Sequence, residues 1–99
     1  MYRGTTPTVE FVSPVDRDTI DALYLSIAQE GKVLVEKTLN DCEWVGHAVK
    51  CKLTQLDTLA LDASKYANFQ VLIKTTSGDA LASDITPVHV GLILKDGEI

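Results

Sequence analysis

Residues 42–51 have the sequence Cys42-Glu43-Trp44-Val45-Gly46-His47-Ala48-Val49-Lys50-Cys51, in which two short apolar-polar alternations flank a Gly-His pair. Glycine at the first central position favours a type II′ turn and hence a two-residue hairpin loop. This register places Glu43 opposite Lys50 and Trp44 opposite Val49, and both are favourable cross-strand pairs. The segment therefore predicts a β-hairpin near the middle of the chain.

The alternation continues upstream of this hairpin. Apolar residues occupy every second position from residue 23 to residue 27, and a glycine-containing loop separates them from Val33 and Val35. A three-residue loop with Gly31 in the left-handed region pairs Leu25 with Val35 and Ile27 with Val33, which keeps apolar residues together. We therefore predict a hairpin in this register.

A further alternation begins near residue 67 and continues to the end of the chain. With Gly78 left-handed, a loop pairs Ile73 with Leu81 and Phe69 with Ile85. At Pro87 the alternation shifts by one residue, and proline cannot donate to a ladder, so we expect a bulge or a break in an edge strand. After this shift the predicted inward residues are Val88, Val90, Leu92 and Leu94.

Between these hairpins, Thr54 and Asp57 have the spacing of a capping box, which predicts a short helix at residues 54–61 that crosses between two sheets. With an N-terminal strand at residues 8–12 there are seven or eight short strands. This number predicts an all-β, two-sheet, immunoglobulin-like sandwich. Asp62 and Tyr66 resemble the tyrosine corner of such folds. The tight loop after Ala28 argues against a strict immunoglobulin topology.

The length of 99 residues fits one domain. We expect an extended segment at residues 1–7 and a single sandwich domain at residues 8–99. Fourteen acidic against nine basic side chains give a net charge of −5, which disfavours binding to nucleic acid or to an anionic membrane. We expect neither a membrane-spanning segment nor a secretory signal, because no apolar stretch has the necessary length.

Cys42 and Cys51 lie opposite each other in the predicted hairpin, which allows a disulfide, a metal site, a nucleophile or two free thiols. We predict free thiols, because a reducing cytosol disfavours disulfides. His47 lies at the turn, roughly 13–16 Å from the cysteines at the strand rise. A zinc site and a Cys–His nucleophile both require the histidine to lie closer to the cysteines, so the predicted hairpin excludes both. His89 falls on the outward side of the last strand, and we predict no catalytic, cofactor-binding or metal-ligating residue.

Candidate partner contacts come from aromatic and apolar positions. Trp44 is interpreted as a core residue packed on Val49, and the alternative is an anchor for a partner. Apolar residues also fall on outward-facing positions, and several of them on one sheet would form an interface. These residues are Val12, Leu34, Leu72 and Ile93.

The N-terminal residues 1–6 have two interpretations. One is a frayed end. The other is an arm that adds to a sheet edge of a neighbouring subunit, in which Tyr2 is the apolar anchor and Arg3 binds a carboxylate of the partner. Thr5 and Thr6 suit such an added strand, because β-branched residues favour extended backbone.

Five short segments of the chain occur in the same order as similar segments in one protein family. The chain resembles small tail-associated proteins of phages and prophages of Gram-positive bacteria, and more loosely the N-terminal immunoglobulin-like domain of phage upper baseplate proteins. The tryptophan hairpin with both cysteines departs from the family pattern. The matching segments are Arg3-Gly4-Thr5-Thr6-Pro7-Thr8, Ala28-Gln29-Glu30-Gly31-Lys32, Leu53-Thr54-Gln55-Leu56-Asp57-Thr58-Leu59, Gln70-Val71 and Leu81-Ala82-Ser83-Asp84-Ile85.

The resemblance implies a non-enzymatic structural or adhesive component of a phage tail or baseplate. The expected partners are other tail proteins or further copies of the chain, without nucleic acid, membrane or cofactor. The expected location is the bacterial cytoplasm or the assembled virion. The alternative is a small phage-encoded inhibitor or regulator of a host protein, which suits an acidic domain of this size. An enzyme is the least favoured class.

Overall fold

Eight strands form two facing antiparallel sheets in the computed structural model, which describes residues 1–99. The strands are β1 (Thr8–Val12), β2 (Ile20–Gln29), β3 (Lys32–Thr38), β4 (Cys42–Val45), β5 (Ala48–Lys52), β6 (Tyr66–Thr75), β7 (Ala80–Ala82) and β8 (Thr86–His89). The smaller sheet has the order β1-β5-β4, and the larger has the order β3-β2-β6-β7, with β8 also paired to β6. The predicted two-sheet sandwich is confirmed.

Short helical segments connect the strands. Two 3₁₀ turns cover Arg17–Thr19 and Leu39–Asp41, and the single α-helix, α1 (Gln55–Leu59), joins β5 of the smaller sheet to β6 of the larger. The backbone N–H of Asp57 donates to Thr54 Oγ1 at 3.1 Å, and that of Thr54 donates to Asp57 Oδ2 at 2.8 Å. The predicted capping box and crossover helix are therefore confirmed. No helix is long enough to span a membrane.

The β4–β5 hairpin has the predicted register. Glu43 pairs with Lys50 and Trp44 pairs with Val49. Gly46 has a φ of 59°, whereas the φ of His47 is not positive, as a type II′ turn requires. The local sequence was sufficient here because the turn type alone sets the register.

The predicted register of the β2–β3 hairpin is wrong. Glu30 and Gly31 form a two-residue turn with φ values of 52° and 77°, which is typical of type I′ rather than of a three-residue loop. A bulge then shifts the ladder, so Ile27 pairs with Val35 and Leu25 pairs with Lys37. The bulge keeps Val35 buried despite the shorter loop.

Gln29 explains why the loop is shorter than predicted. Its side chain is buried, and its amide donates to the Asp62 carbonyl at 2.9 Å and accepts from the Asp62 N–H at 2.7 Å. These two hydrogen bonds hold Gln29 inside β2. The local sequence does not indicate a strand at Gln29, because its strand conformation depends on the long-range contact with Asp62.

The β6–β7 pairing is predicted correctly up to the break. Ile73 pairs with Leu81, and the Ser83 N–H donates to the Val71 carbonyl at 2.9 Å. Phe69, however, pairs with Thr86 of β8 instead of Ile85. The shift by one residue therefore falls between β7 and β8, slightly earlier than the proline predicts.

The chain leaves the larger sheet after β8, which changes the expected inward positions. Val88 is half-buried and Val90 is fully buried, as predicted, but Leu92 and Leu94 are 67% and 102% exposed. A parallel bridge between Tyr2 and Gly91 replaces the strand. Beyond this bridge the half-buried side chain is that of Ile93.

The connection of the strands differs from a strict immunoglobulin topology, because β2 and β3 lie in the same sheet. This departure follows the expectation from the tight loop. The tyrosine-corner interpretation is wrong. Tyr66 is 63% exposed, and its ring meets His89 edge-to-face at 5.5 Å between ring centroids.

The core lies between the sheets in two neighbouring clusters. The larger is built around β2, β5 and β6, with Leu53 and Leu61 on either side of α1 and Val90 after β8, and the smaller is built from β2 and β6. The larger cluster contains Leu25, Ile27, Val35, Cys51, Leu53, Leu61, Ala67, Phe69 and Val90, and the smaller contains Ile20, Leu23 and Ile73.

Candidate partner-binding groove

One long side of the sandwich is closed by the chain itself. The 3₁₀ turn Leu39–Asp41 carries the chain directly from edge strand β3 to edge strand β4. Next to it, Lys37 points inward, and its Nζ lies 2.6 Å from Asp57 Oδ2, with side chains only 15% and 19% exposed. A bulge and an inward-pointing charge are both features that protect an edge strand from pairing with another chain.

The ion pair on this closed side shifts the pKa values of both partners. The hydrogen bond to Asp57 raises the pKa of Lys37 against the opposing effect of burial. Burial favours a higher pKa for Asp57, but hydrogen bonds from Lys37 and Thr54 overcome this effect and lower it. Both groups are therefore held in their charged forms, as a stable structural pair requires.

The opposite long side is open. Here β1 is the edge of the smaller sheet, β7 and β8 lie at the edge of the larger sheet, and a groove of about 550 Å³ separates them. Its lining is largely apolar, with Val9 and Phe11 on one wall and Phe69 and Val71 on the other. The groove is thus the exposed margin of the core.

The main chain of β1 presents unpaired hydrogen-bonding groups along this groove. The Leu53 N–H donates to the Pro7 carbonyl at 2.9 Å, and the Ser13 N–H donates to the His47 carbonyl at 2.8 Å. Hydrogen-bonded pairs alternate in an antiparallel ladder, so Val9 and Phe11 bond to β5. The N–H and C=O groups of Thr8, Glu10 and Val12 therefore point away from β5, towards the open edge.

The ionisable side chains of the groove are acidic. Glu10 lies on β1 and Asp84 lies between β7 and β8, and both belong to the lining. The N-terminal ammonium of Met1 donates to the His89 carbonyl at 3.1 Å, which holds it against β8. The groove thus combines apolar walls with a negative rim.

The N-terminal segment is docked on its own chain. The Gly91 N–H donates to the Met1 carbonyl at 2.6 Å, and the Arg3 N–H donates to the Gly91 carbonyl at 3.1 Å. The Arg3 guanidinium donates to the carbonyls of Leu59 and Leu61, each at 3.0 Å, and pairs with Asp96. The interpretation of this segment as a frayed end is therefore wrong, and the Met1 carbonyl and the Arg3 N–H are already paired within the chain.

The other residues of this segment have separate environments. Tyr2 is 61% exposed and covers Gly91 with one side of its ring. Thr5 Oγ1 donates to the Tyr2 carbonyl at 2.7 Å, and the Thr5 carbonyl accepts from Thr58 Oγ1 at 2.7 Å. Thr6 is exposed.

The predicted outward apolar residues do not form one patch. Leu34 is half-buried and packs against the larger core cluster, and Ile93 is half-buried beside Gly4. Leu72 is 46% exposed on β6, whereas Val12 is 77% exposed on β1 of the other sheet. The structure therefore does not bring the partner contacts predicted from sequence together.

Cys42 and Cys51 pair across β4 and β5, and no disulfide joins them. Burial raises the pKa of Cys42 to about 12, and the neighbouring Cys51 adds to this shift. Burial also raises the pKa of Cys51, which is fully buried. His47 Nε2 lies 2.5 Å from Asp16 Oδ1. No group of three or more His, Cys, Asp or Glu side chains is arranged to hold a metal ion.

Trp44 has the packing of the predicted core residue. Its ring packs against the smaller core cluster, and the Arg17 guanidinium lies 5.9 Å from the ring centroid. Its Nε1 is buried without a hydrogen-bond partner. The Trp44 side chain therefore contributes to core packing.

Sequence reasoning missed the groove because it depends on how the two sheets align. The available signals were the strongly β-favouring run at residues 8–12 and the break before Pro87. Comparisons of the chain with protein-family models, with curated proteins and with solved structures find no match.

Proposed function

We propose that the protein is a non-enzymatic structural or interaction module that assembles into a phage or prophage tail or baseplate. The sequence resemblance supports the setting. The open side of the sandwich supports the mode of action, because an unpaired edge beside exposed apolar surface is typical of a site that another chain covers.

The contrast between the two sides of the sandwich carries this proposal. On the closed side, Lys37, Asp57 and the turn Leu39–Asp41 cover the space between the sheets. On the open side, the groove of about 550 Å³ leaves Val9 and Phe11 only half-buried beside a free strand edge. An edge left open in this way favours association with a partner over an isolated role.

Sedimentation of phage particles tests the proposal. The tagged protein is produced in cells in which the prophage is induced, and tail particles are separated on a density gradient after lysis. We expect the protein to co-sediment with the particles in several copies and to remain after a high-salt wash. A host cytosolic protein of similar size serves as the control for trapping.

Two results would contradict a tail role. The protein could stay at the top of the gradient, or it could be recovered as a one-to-one complex with a single host protein. The second result would support the alternative of a phage-encoded inhibitor or regulator.

A further inference from the structure

We propose that the groove binds an extended segment of a partner protein, which adds to β1 as a fourth strand of the smaller sheet and carries a basic residue between two apolar residues. This inference rests on the proposed role as an interaction module and specifies the chemistry of its partner. Addition of a strand to a free edge is a recurrent mode of peptide recognition.

The backbone of β1 supplies the affinity in this interaction. Thr8, Glu10 and Val12 direct three N–H and three C=O groups to the open edge, and none of them takes part in a hydrogen bond outside the β1–β5 ladder. An added antiparallel strand centred on Glu10 would pair all six groups. The edge is also free of proline from Thr8 to Val12, so every N–H is available.

The groove sets which side chains the added strand carries. Side chains alternate between the two faces of a sheet, so the residues opposite Val9 and Phe11 would point into the groove. There they would meet Phe69 and Val71 of the facing sheet. Apolar residues at these two positions would complete the core on its open side.

Charge determines the central residue. Glu10 is exposed in the middle of β1, on the face of the smaller sheet that points away from the core. The partner residue opposite Glu10 lies on the same face as the Glu10 side chain, and opposite charges at directly paired positions are favourable. Lysine or arginine at this position therefore complements the charge of Glu10.

The same charge argues against a second copy of the chain as the occupant. A symmetric antiparallel pair of β1 strands that uses all three edge residues places Glu10 opposite Glu10 of the other copy. Like charges at directly opposed positions are destabilising. Registers displaced in either direction leave some of the edge groups unpaired.

Peptide titration of the full-length protein tests this inference. The probe is the blocked peptide Ser-Thr-Val-Lys-Val-Thr-Ser, and isothermal titration calorimetry at low salt measures its affinity. A peptide with glutamate in place of lysine tests charge, and a peptide N-methylated at the central residue tests strand addition. We expect the lysine peptide to bind about fivefold more tightly than the glutamate peptide and the N-methylated peptide to lose binding.

Charge reversal in the protein provides the matched control. Glu10→Lys should reverse the preference, so that the glutamate peptide binds more tightly. Glu36→Lys makes the same charge change at an exposed position of β3, outside the groove, and should retain the preference for lysine. Circular dichroism of each variant verifies that the fold is retained.

Three results would overturn the inference: no binding of the lysine peptide, equal binding of the lysine and glutamate peptides, or unchanged binding after N-methylation. Wild-type protein that dimerises through β1 would instead identify a second copy as the occupant. The gradient experiment separates the two proposals. Co-sedimentation of the wild-type protein without any binding of the lysine peptide would contradict only the groove inference, whereas absence of wild-type protein from tail particles would contradict the proposed function.

Discussion

Lys37 of β3 and Asp57 of α1 form an ion pair at the closed side of the sandwich, with 2.6 Å between Nζ and Oδ2. Asp57 Oδ2 also accepts the backbone N–H of Thr54, so one carboxylate caps the crossover helix and binds the edge strand. This side of the sandwich is thus held by an interaction that the groove side lacks. The asymmetry between the two sides is the basis of the proposed function.

Replacement of Lys37 by methionine should lower the free energy of unfolding by about 1–3 kcal/mol, because it leaves a largely buried carboxylate without its cation. Urea denaturation measures this change. Lys65→Met is the matched control, since the pairs of Lys65 with Glu30 and Asp62 involve exposed side chains. The control should cost clearly less than Lys37→Met, because solvent screens exposed ion pairs. Equal costs for the two variants would contradict a structural role for the Lys37–Asp57 pair.

The pH dependence of stability should report the same pair. The pKa of Asp57 is lowered in the folded state, so its contribution is present above the unfolded pKa of about 3.9. It is lost as the pH falls through the folded pKa. The raised pKa of Lys37 adds stability that is complete below about pH 10.4 and is lost as the pH rises through the folded value. Wild-type protein should therefore lose more stability than Lys37→Met between about pH 4 and pH 2, and parallel curves would contradict this account.

The contact between Tyr2 and Gly91 predicts coupling between the two termini. A Cβ at Gly91 would lie 2.6 Å from Cδ1 of Tyr2, which is too close for a real contact. Gly91→Ala should displace the N-terminal segment and cost about 1–3 kcal/mol in thermal unfolding. In the Tyr2→Ala background the same change should cost clearly less, because the ring is absent. Additive costs in the double variant would show that the ring and Gly91 are not in contact.

The cysteines should titrate as two slowly reacting thiols. With its pKa raised to about 12, Cys42 has little thiolate at pH 8, and Cys51 is fully buried. Ellman's reagent should therefore react slowly with the native, unreduced protein and should count two thiols after denaturation. Cys42→Ser should lower the final count to one. A count near zero in the denatured wild type would establish a disulfide instead.

The sequence predicted those parts of the fold that local chemistry sets. The type II′ turn at Gly46 fixed the β4–β5 register, and Thr54 with Asp57 located α1. The β2–β3 register was missed because Gln29 becomes a strand residue only through its two hydrogen bonds with Asp62. Leu92 was misplaced because the chain leaves the sheet at the Tyr2–Gly91 bridge.

The sequence predicts which residues of β1 face inward, but it does not predict the groove that they line. The inward positions of Val9 and Phe11 follow from alternation along β1. Which edge strand faces β1 depends on the path of the chain between the sheets, and the crossing at Leu39–Asp41 closes one side only. No local sequence pattern specifies how the two sheets align, so the open edge of β1 could not be predicted from the sequence.

Amide hydrogen exchange along β1 tests the open edge most directly. In the isolated protein at neutral pH, the N–H groups of Val9 and Phe11 should be protected, because they bond to β5, while those of Thr8, Glu10 and Val12 should exchange rapidly. Two-dimensional NMR after transfer to heavy water resolves each of these amides. Alternating protection is the predicted result. Strong protection of all five amides would show that the edge of β1 is already covered and would contradict the account.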